Sequence, residues 1–227
     1  MEYNNYDDTV KCIESVLTSD YEHFETILFD NDSEKKVSEK LKIYCKKKKN
    51  IHFIQPPKNG GYGYGNNVGM HYATKFNPEY FLILSNDTLI EQNTLSKLVK
   101  FIHKKPKVGI VFPSILFFNK KKTNIINASG GQFCKFGFAK DKFFGMKLEK
   151  VHNQIDDNFF YAPGSCFLVR SEVASEIGYF VDNIFMYWDD VDFSWRTRIL
   201  DYEIKILKDT KIYHKISITI RQSKNAF

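Results

Sequence analysis

The sequence predicts an α/β fold built on a mixed, mostly parallel sheet with helices on both faces. Three observations carry this. Short apolar runs alternate with helix-period segments through the first 112 residues. YFLIL (80–84) and VGIVF (108–112) are continuous apolar runs, as buried strands are. Polar residues cluster where strands end, at Asp30-Asn31-Asp32 and Ser85-Asn86-Asp87, and ligands of such sheets bind beyond the strands' C-terminal ends.

The elements follow in order. Residues 7–18 set Val10, Ile13 and Leu17 on one helical face, with Asp7 and Asp8 near its start. FETILF (24–29) reads as a strand, residues 34–46 as a polar helix and IHFI (51–54) as a short strand. A glycine-rich loop then leads into a helix over roughly 66–76. After YFLIL, residues 91–105 form an amphipathic helix that precedes VGIVF. Residues 114–163 break the pattern, with Gly130-Gly131, Gly137 and Gly145 among Phe and Lys, and read as a mixed α+β insertion with long loops. CFLV (166–169) is a strand, 171–178 a short helix and 189–200 a helix. EIKIL and KIYHKI are expected to form a strand pair. With no repeat and no linker, residues 1–227 are expected to form one domain.

Composition narrows the function. The net charge is +6, with lysine runs at 46–49 and 120–122. Such runs are solvated loops or contacts to an anionic partner. No basic helix interleaves with exposed aromatic residues, which argues against nucleic acid. Cys12, Cys45, Cys134 and Cys166 are scattered, so neither a zinc site nor a disulfide framework is expected, and a reducing cytosol fits. No window approaches 18 apolar residues, and the polar, acidic start is no signal peptide.

Each polar motif has two readings. FDNDS (29–33) suits nucleotide hydroxyls, or a turn and helix cap. NGGYGYGNN (59–67) suits a diphosphate through free backbone N–H groups at a helix start, or a surface loop. Asp87, at the mouth of a buried strand, suits Mg²⁺ or Mn²⁺, or a turn. In FMYWDDVDFSWR (185–196), Asp189, Asp190 and Asp192 open a helix, where acids are favoured, and Asp192 can pair with Arg196. A carboxylate among those rings would also have a raised pKa and could take a proton from a hydroxyl. His214 alone reads as structural.

Taken in order, the segments resemble family 2 glycosyltransferases, especially rhamnosyltransferase-like bacterial members. The residues that carry the resemblance are YNNYDDTVKCIESVL, FDNDS, NGGYGYGNNVG, LILSNDT, GSCFLVR, FMYWDDVDFSWR and IYH, running from residue 3 to about 217. The resemblance implies a GT-A, Rossmann-like fold. It also implies inverting transfer from a nucleotide-sugar donor to a glycan or lipid-linked glycan acceptor, in cell-surface polysaccharide synthesis. Residues 1–112 would form the nucleotide-sugar half and 113–227 the acceptor half. By position, Asp30 and Asp32 would face the nucleoside. Gly61, Asn66, Asn67 and Asn86 would lie against the nucleotide-sugar. Asp87 and His214 would hold Mg²⁺ or Mn²⁺, Asp190 would be the general base beside Asp189, and Gly164, Tyr187 and Trp188 would border the acceptor. The enzyme would be cytoplasmic, docking peripherally at the inner membrane face through its lysine clusters.

Three departures stand out. Asp189 replaces the family's usual Glu, and Ser85 stands where the metal motif often has Asp or Asn. Members also begin with an apolar strand directly before the Y-N motif, whereas here the sequence reads Met1-Glu2-Tyr3-Asn4. The sheet is therefore expected to lack its usual first strand, which exposes the neighbouring edges. A shortened gene product, a misplaced start or half of a split protein would each account for it. An inactive sugar- or nucleotide-binding module is the competing reading. A nucleotidyltransferase or a Rossmann oxidoreductase would leave residues 185–196 unexplained.

Overall fold

The structure is a computed structural model that describes residues 3–133, 139–155 and 159–215. Helix α1 (Tyr6–Leu17) starts at Asn5, whose side chain accepts from the Asp8 N–H, and buries Thr9, Cys12, Ile13 and Val16. Strand β1 (Thr26–Phe29), α2 (Lys35–Lys46) and β2 (Ile51–Ile54) form a right-sized βαβ unit with β1 and β2 parallel.

Helix α3 (Gly61–Ala73) begins about five residues earlier than the sequence suggests. Gly61, Gly63 and Gly65 argue for a loop by propensity. Tertiary contact overrides this, because all three glycines are buried, and a side chain on Gly63 would meet Phe180 and Asp189.

The chain continues through β3 (Tyr80–Leu84), β4 (Thr88–Ile90), α4 (Thr94–His103) and β5 (Val108–Asn119). The expected insertion contains β6 (Lys121–Ala128), β7 (Gly131–Phe133), β8 (Ala139–Asp141) and α5 (Leu148–Val151). Then come β9 (Cys166–Arg170), α6 (Ser171–Glu176), α7 (Asp189–Ile199) and β10 (Glu203–His214).

The large sheet has the order β3-β9-β5-β10-β4, with β6 also paired to β5. It is mixed, but its parallel share is smaller than the alternation implies. Strands β5 and β10 are parallel, whereas β9 runs antiparallel to both β3 and β5. The expected strand pair near the C-terminus is one strand: β10 carries both EIKIL and KIYH, with a register shift between Leu207 and Lys211. The bulge keeps both parts on β5, and Ser114 Oγ ties it by donating to Lys208 O. Ile216 of KIYHKI lies outside the described residues.

Phe81, Phe112, Phe159, Phe167, Phe180 and Phe193 share the main core with Ile110, Leu116 and Ile206. A smaller core of Ile13, Leu28, Leu41, Cys45 and Ile51 lies under α1 and α2. Cys12, Cys45 and Cys166 are buried free thiols; Cys134 is outside the described residues.

Strands β1 and β2 stand as a separate two-stranded sheet. Between β1 and β3 lies a cavity of about 720 Å³, lined by the whole of both strands and by residues of α1, α3 and α4.

Candidate active site

The C-terminal ends of β1 and β3 meet at the start of α1. The Asn4 N–H donates to Ser33 Oγ just beyond β1, and Asn86 Nδ2 donates to Thr9 Oγ1 just beyond β3. Asp30 is fully buried there. Its Oδ1 accepts from the Ser33 N–H at 3.0 Å, while among the described residues its Oδ2 has no partner. Asp32, in contrast, is exposed on a left-handed turn (φ 67°). The sequence reading overlooked Asn31. It is buried, donates to Asn59 Oδ1 at 2.7 Å and accepts from the Gly60 N–H at 3.2 Å, which fixes the glycine-rich loop.

That loop does not present the free N–H groups expected of a diphosphate cradle. The Gly61 N–H donates to Asn59 Oδ1, and the Tyr62 N–H to Phe185 O at 3.0 Å. Gly61 (φ +86°) is needed for contact: an added Cβ would lie 2.0 Å from Phe185 O. Asn67 is likewise turned inward. Its Nδ2 donates to Phe180 O and Asp182 Oδ1, and its Oδ1 accepts from the Phe180 N–H, so it joins α3 to the segment before α7. Asn66 Nδ2 donates to Tyr62 O.

Beyond β3, Asp87 is buried beside His214, with Oδ1 to Nε2 at 3.1 Å. His214 Nδ1 lies 2.8 Å from Asn127 Oδ1, so that nitrogen carries the proton. Nε2 is then turned toward the Asp87 carboxylate oxygen. Asp87 Oδ2 has no partner among the described residues. Those residues contain no cluster of three His, Cys, Asp or Glu side chains suited to a metal. A two-residue set still fits Mg²⁺ or Mn²⁺, which take few protein ligands and complete their shell with phosphate oxygens and water.

The opposite wall is built by 185–196. Tyr187 and Trp188 both hold φ 68°, and Trp188 is the N-cap of α7. Two consecutive left-handed non-glycine residues cost about 1–2 kcal/mol each. The turn leaves Phe185, Met186, Tyr187 and Trp188 exposed and buries Asp189 behind them. Asp190 Oδ2 accepts from the Gly164 N–H at 2.8 Å and Oδ1 from the Val191 N–H at 2.9 Å. Gly164 O in turn accepts from the Tyr62 hydroxyl at 2.5 Å. Burial pushes Asp190 upward against the pull of those N–H groups. Burial, together with the charges of Asp190 and Asp192, pushes Asp189 up to about 6, and its Oδ1 has no partner among the described residues. Asp192 is structural: its Oδ2 accepts from Arg196 at 2.9 and 2.6 Å.

Asp141, on β8, was not legible as a site residue. Its Oδ1 is buried without a partner among the described residues, and burial plus the charge of Asp190 pushes it up to about 7. Burial and these same two carboxylates push the Tyr161 phenol up. Asp30, Asp87, Asp141 and Asp189 thus each hold one orphaned buried oxygen. Buried polar groups are normally satisfied, so such a set marks a place where a ligand belongs.

Comparison with known proteins places the chain in a family and a fold. Residues 2–178 match the profile of Glycosyl transferase family 2. The chain is 30% identical over 181 residues to the low-salt glycan biosynthesis hexosyltransferase Agl10 of Haloferax volcanii, covering 77% of this chain and 53% of that protein. It is 25% identical over 203 residues to rhamnosyltransferase WbbL of Escherichia coli, covering 85% and 73%. The chain therefore spans about half the length of Agl10 and more of WbbL. Among solved structures, it superposes on GalNAc-T7 with UDP, GalNAc and Mn²⁺ (TM-score 0.76, 16% identity, 93% of this chain, 41% of that one). It also superposes on a Pyrobaculum calidifontis mannosyltransferase with GDP-Man and Mn²⁺ (TM-score 0.71, 15% identity, 95% and 55%). These likenesses show the fold, GT-A.

Proposed function

Since the chain belongs to glycosyl transferase family 2, we propose that it is an inverting, metal-dependent glycosyltransferase. It moves a sugar from a nucleotide-sugar donor to a glycan or lipid-linked glycan acceptor in cell-surface polysaccharide synthesis. It works in the cytoplasm as a single catalytic domain, docked at the inner membrane face by its exposed lysines. The observation that supports the reading is the set of orphaned carboxylate oxygens on Asp30, Asp87, Asp141 and Asp189.

In this reading Asp30 accepts from the nucleoside. Asp87 and His214 would hold Mg²⁺ or Mn²⁺, which supplies positive charge for the departing diphosphate. The acceptor hydroxyl hydrogen-bonds to Asp190, held in place by Gly164 and α7. Its oxygen attacks the anomeric carbon from the face opposite the diphosphate, the carbon–diphosphate bond breaks, and the proton passes to Asp190. The rings of 185–188 flank the acceptor and exclude water, which would otherwise hydrolyse the donor.

Asp190→Asn should lower transfer by about 10²–10⁴-fold, the usual contribution of a general base, while donor binding survives. Near-normal turnover would remove Asp190 from the role. Asp87→Ala should abolish the metal dependence of donor binding in a calorimetric titration. The open slot beside Asp30 favours one alternative, a binding module without catalysis; donor binding without turnover in the unsubstituted chain would select it.

A further inference from the structure

Tyr62 touches both segments that frame Asp190. It is the second residue of α3, directly after Gly61, and its loop is fastened through Asn59 to Asn31 beyond β1. Its two polar groups reach different partners. The backbone N–H donates to Phe185 O at 3.0 Å, at the turn that carries Tyr187 and Trp188. The phenol hydroxyl donates to Gly164 O at 2.5 Å, and the Gly164 N–H donates to Asp190 Oδ2 at 2.8 Å. One residue therefore holds the group that holds the proposed base.

Asp190 needs such a hold. Of its two backbone bonds, the one from the Val191 N–H is local to α7 and travels with the helix. Only the Gly164 bond ties the carboxylate to another segment. Gly164 lies in the turn ahead of β9, outside the ladder that begins at Cys166. Its place is set by close contact instead. A Cβ there would lie 3.1 Å from the Tyr62 hydroxyl oxygen and 3.3 Å from Asp190 Cβ, so Gly164 is sandwiched between the two. Close-packed groups transmit displacement, and a shift of Tyr62 passes through Gly164 to Asp190.

The Tyr62 ring is itself fixed. It stands edge-on to Phe180 at 5.5 Å, and Phe180 packs on Phe193 of α7 at 4.5 Å. Burial, then the charges of Asp190 and Asp189, push the phenol well above its ordinary range, so the hydroxyl keeps its proton and donates. A residue that only packed would need the ring alone. The hydroxyl is the part that reaches Gly164.

We propose that Tyr62 is a positioning residue for Asp190: its hydroxyl orients Gly164, whose N–H sets the carboxylate, while its own N–H holds the turn that carries the flanking rings. The base and the acceptor wall are thereby tied to the loop beyond β1. The consequence for turnover rests on the reading of Asp190 as general base; the positioning itself does not.

A backbone N–H bond favours the ionised carboxyl, so a loosened Gly164 raises the pH at which Asp190 takes up a proton. The ionisable groups within electrostatic reach of Asp190 are Asp189 on its own helix, Asp141 on β8, Tyr161 and Tyr62. Asp192, also on α7, is paired with Arg196. Tyr62→Phe removes one neutral hydroxyl and leaves every one of the charges in place.

The test is Tyr62→Phe in the full chain, which keeps the ring, its contact with Phe180 and the N–H bond to Phe185 O. Aspartate carboxyl titrations are followed by carbon-13 NMR, with Asp190→Asn identifying the signal. The Asp190 midpoint should move to higher pH. Across a set of UDP-, GDP- and dTDP-sugars, any that the parent turns over should be turned over about 10–10²-fold more slowly, with unchanged affinity for the matching nucleoside diphosphate and Mn²⁺. An unmoved midpoint would overturn the proposal. So would a lower thermal midpoint with titration and kcat intact, the result that packing alone predicts. A moved midpoint, in a protein whose Asp190→Asn variant turns over normally, would uphold the positioning and refute the general-base reading instead.

Discussion

The two ends of the site rest on different foundations. The Asp190 end is carried by Gly164 and α7, which lie against β9, β5 and β10. Strands β5 and β10 run 12 residues each, side by side, and both have further neighbours. The Asp30 end is carried by β1, which has four residues and one neighbour. Identical backbone chemistry is thus worth more in one half than in the other, because a strand's stability depends on cover from both edges. The Asp30 end is the part of the site expected to open locally at low cost.

Paired core truncations would break this contrast most sharply. Phe112 is fully buried, edge-on to Phe159 at 5.7 Å. Phe112→Ala should cost about 3–5 kcal/mol and lower the denaturant midpoint of the whole chain. Leu41 is also fully buried, but in the smaller core shared by α1, α2, β1 and β2. Leu41→Ala should speed amide exchange in α2, β1 and β2 while moving the global midpoint much less. An equal fall in the global midpoint would show that both halves unfold as one unit.

The junction between the halves comes next. Gly61 lets the start of α3 touch Phe185 O, which sets the turn carrying Tyr187, Trp188 and the acids of α7. Gly61→Ala should push that turn away. Displacements of about 1 Å cost on the order of 10²-fold in rate, so kcat should fall while donor affinity, read at Asp30, holds. Equal losses in both would mean that the glycine serves the nucleotide instead.

Much of this was legible in the sequence, and what was not has physical causes. Periodicity found α1, α2, β3 and β9 almost to the residue. The Asp192–Arg196 pair followed from their spacing of four on a helix. Gly61, Gly63 and Gly65 misled the helix start because propensity is local, whereas Gly61 and Gly63 are held to glycine by contact with Phe185 and Asp189, more than a hundred residues away. Asn67 sits in a motif yet points inward, since which face of α3 meets the 180–182 segment is a tertiary fact. Asp141 lies in no pattern; only the β7–β8 pairing, which sets it opposite Gly131, brings it toward Asp190.

Asp141 offers the smallest and most diagnostic effect. Burial, then the charge of Asp190, pushes its carboxyl up to about 7 from an ordinary value of 3.8. Below the lower value both folded and unfolded chains hold the proton, and there is no difference between them. Between the two values the folded chain holds a proton that the unfolded chain has lost, so stability falls as pH rises through this window. Above about 7 both are ionised and the full cost of the buried charge is present. Asp141→Asn removes that charge. The variant should therefore gain on the parent as pH rises from about 4 to 7, then hold a constant advantage of a few kcal/mol at most, since each pKa unit corresponds to about 1.4 kcal/mol. Thermal midpoints across pH 4–8 read this directly. Parallel curves for the two proteins would mean that Asp141 is ionised and solvated throughout, and that the acid end of the site rests on Asp189 and Asp190 alone.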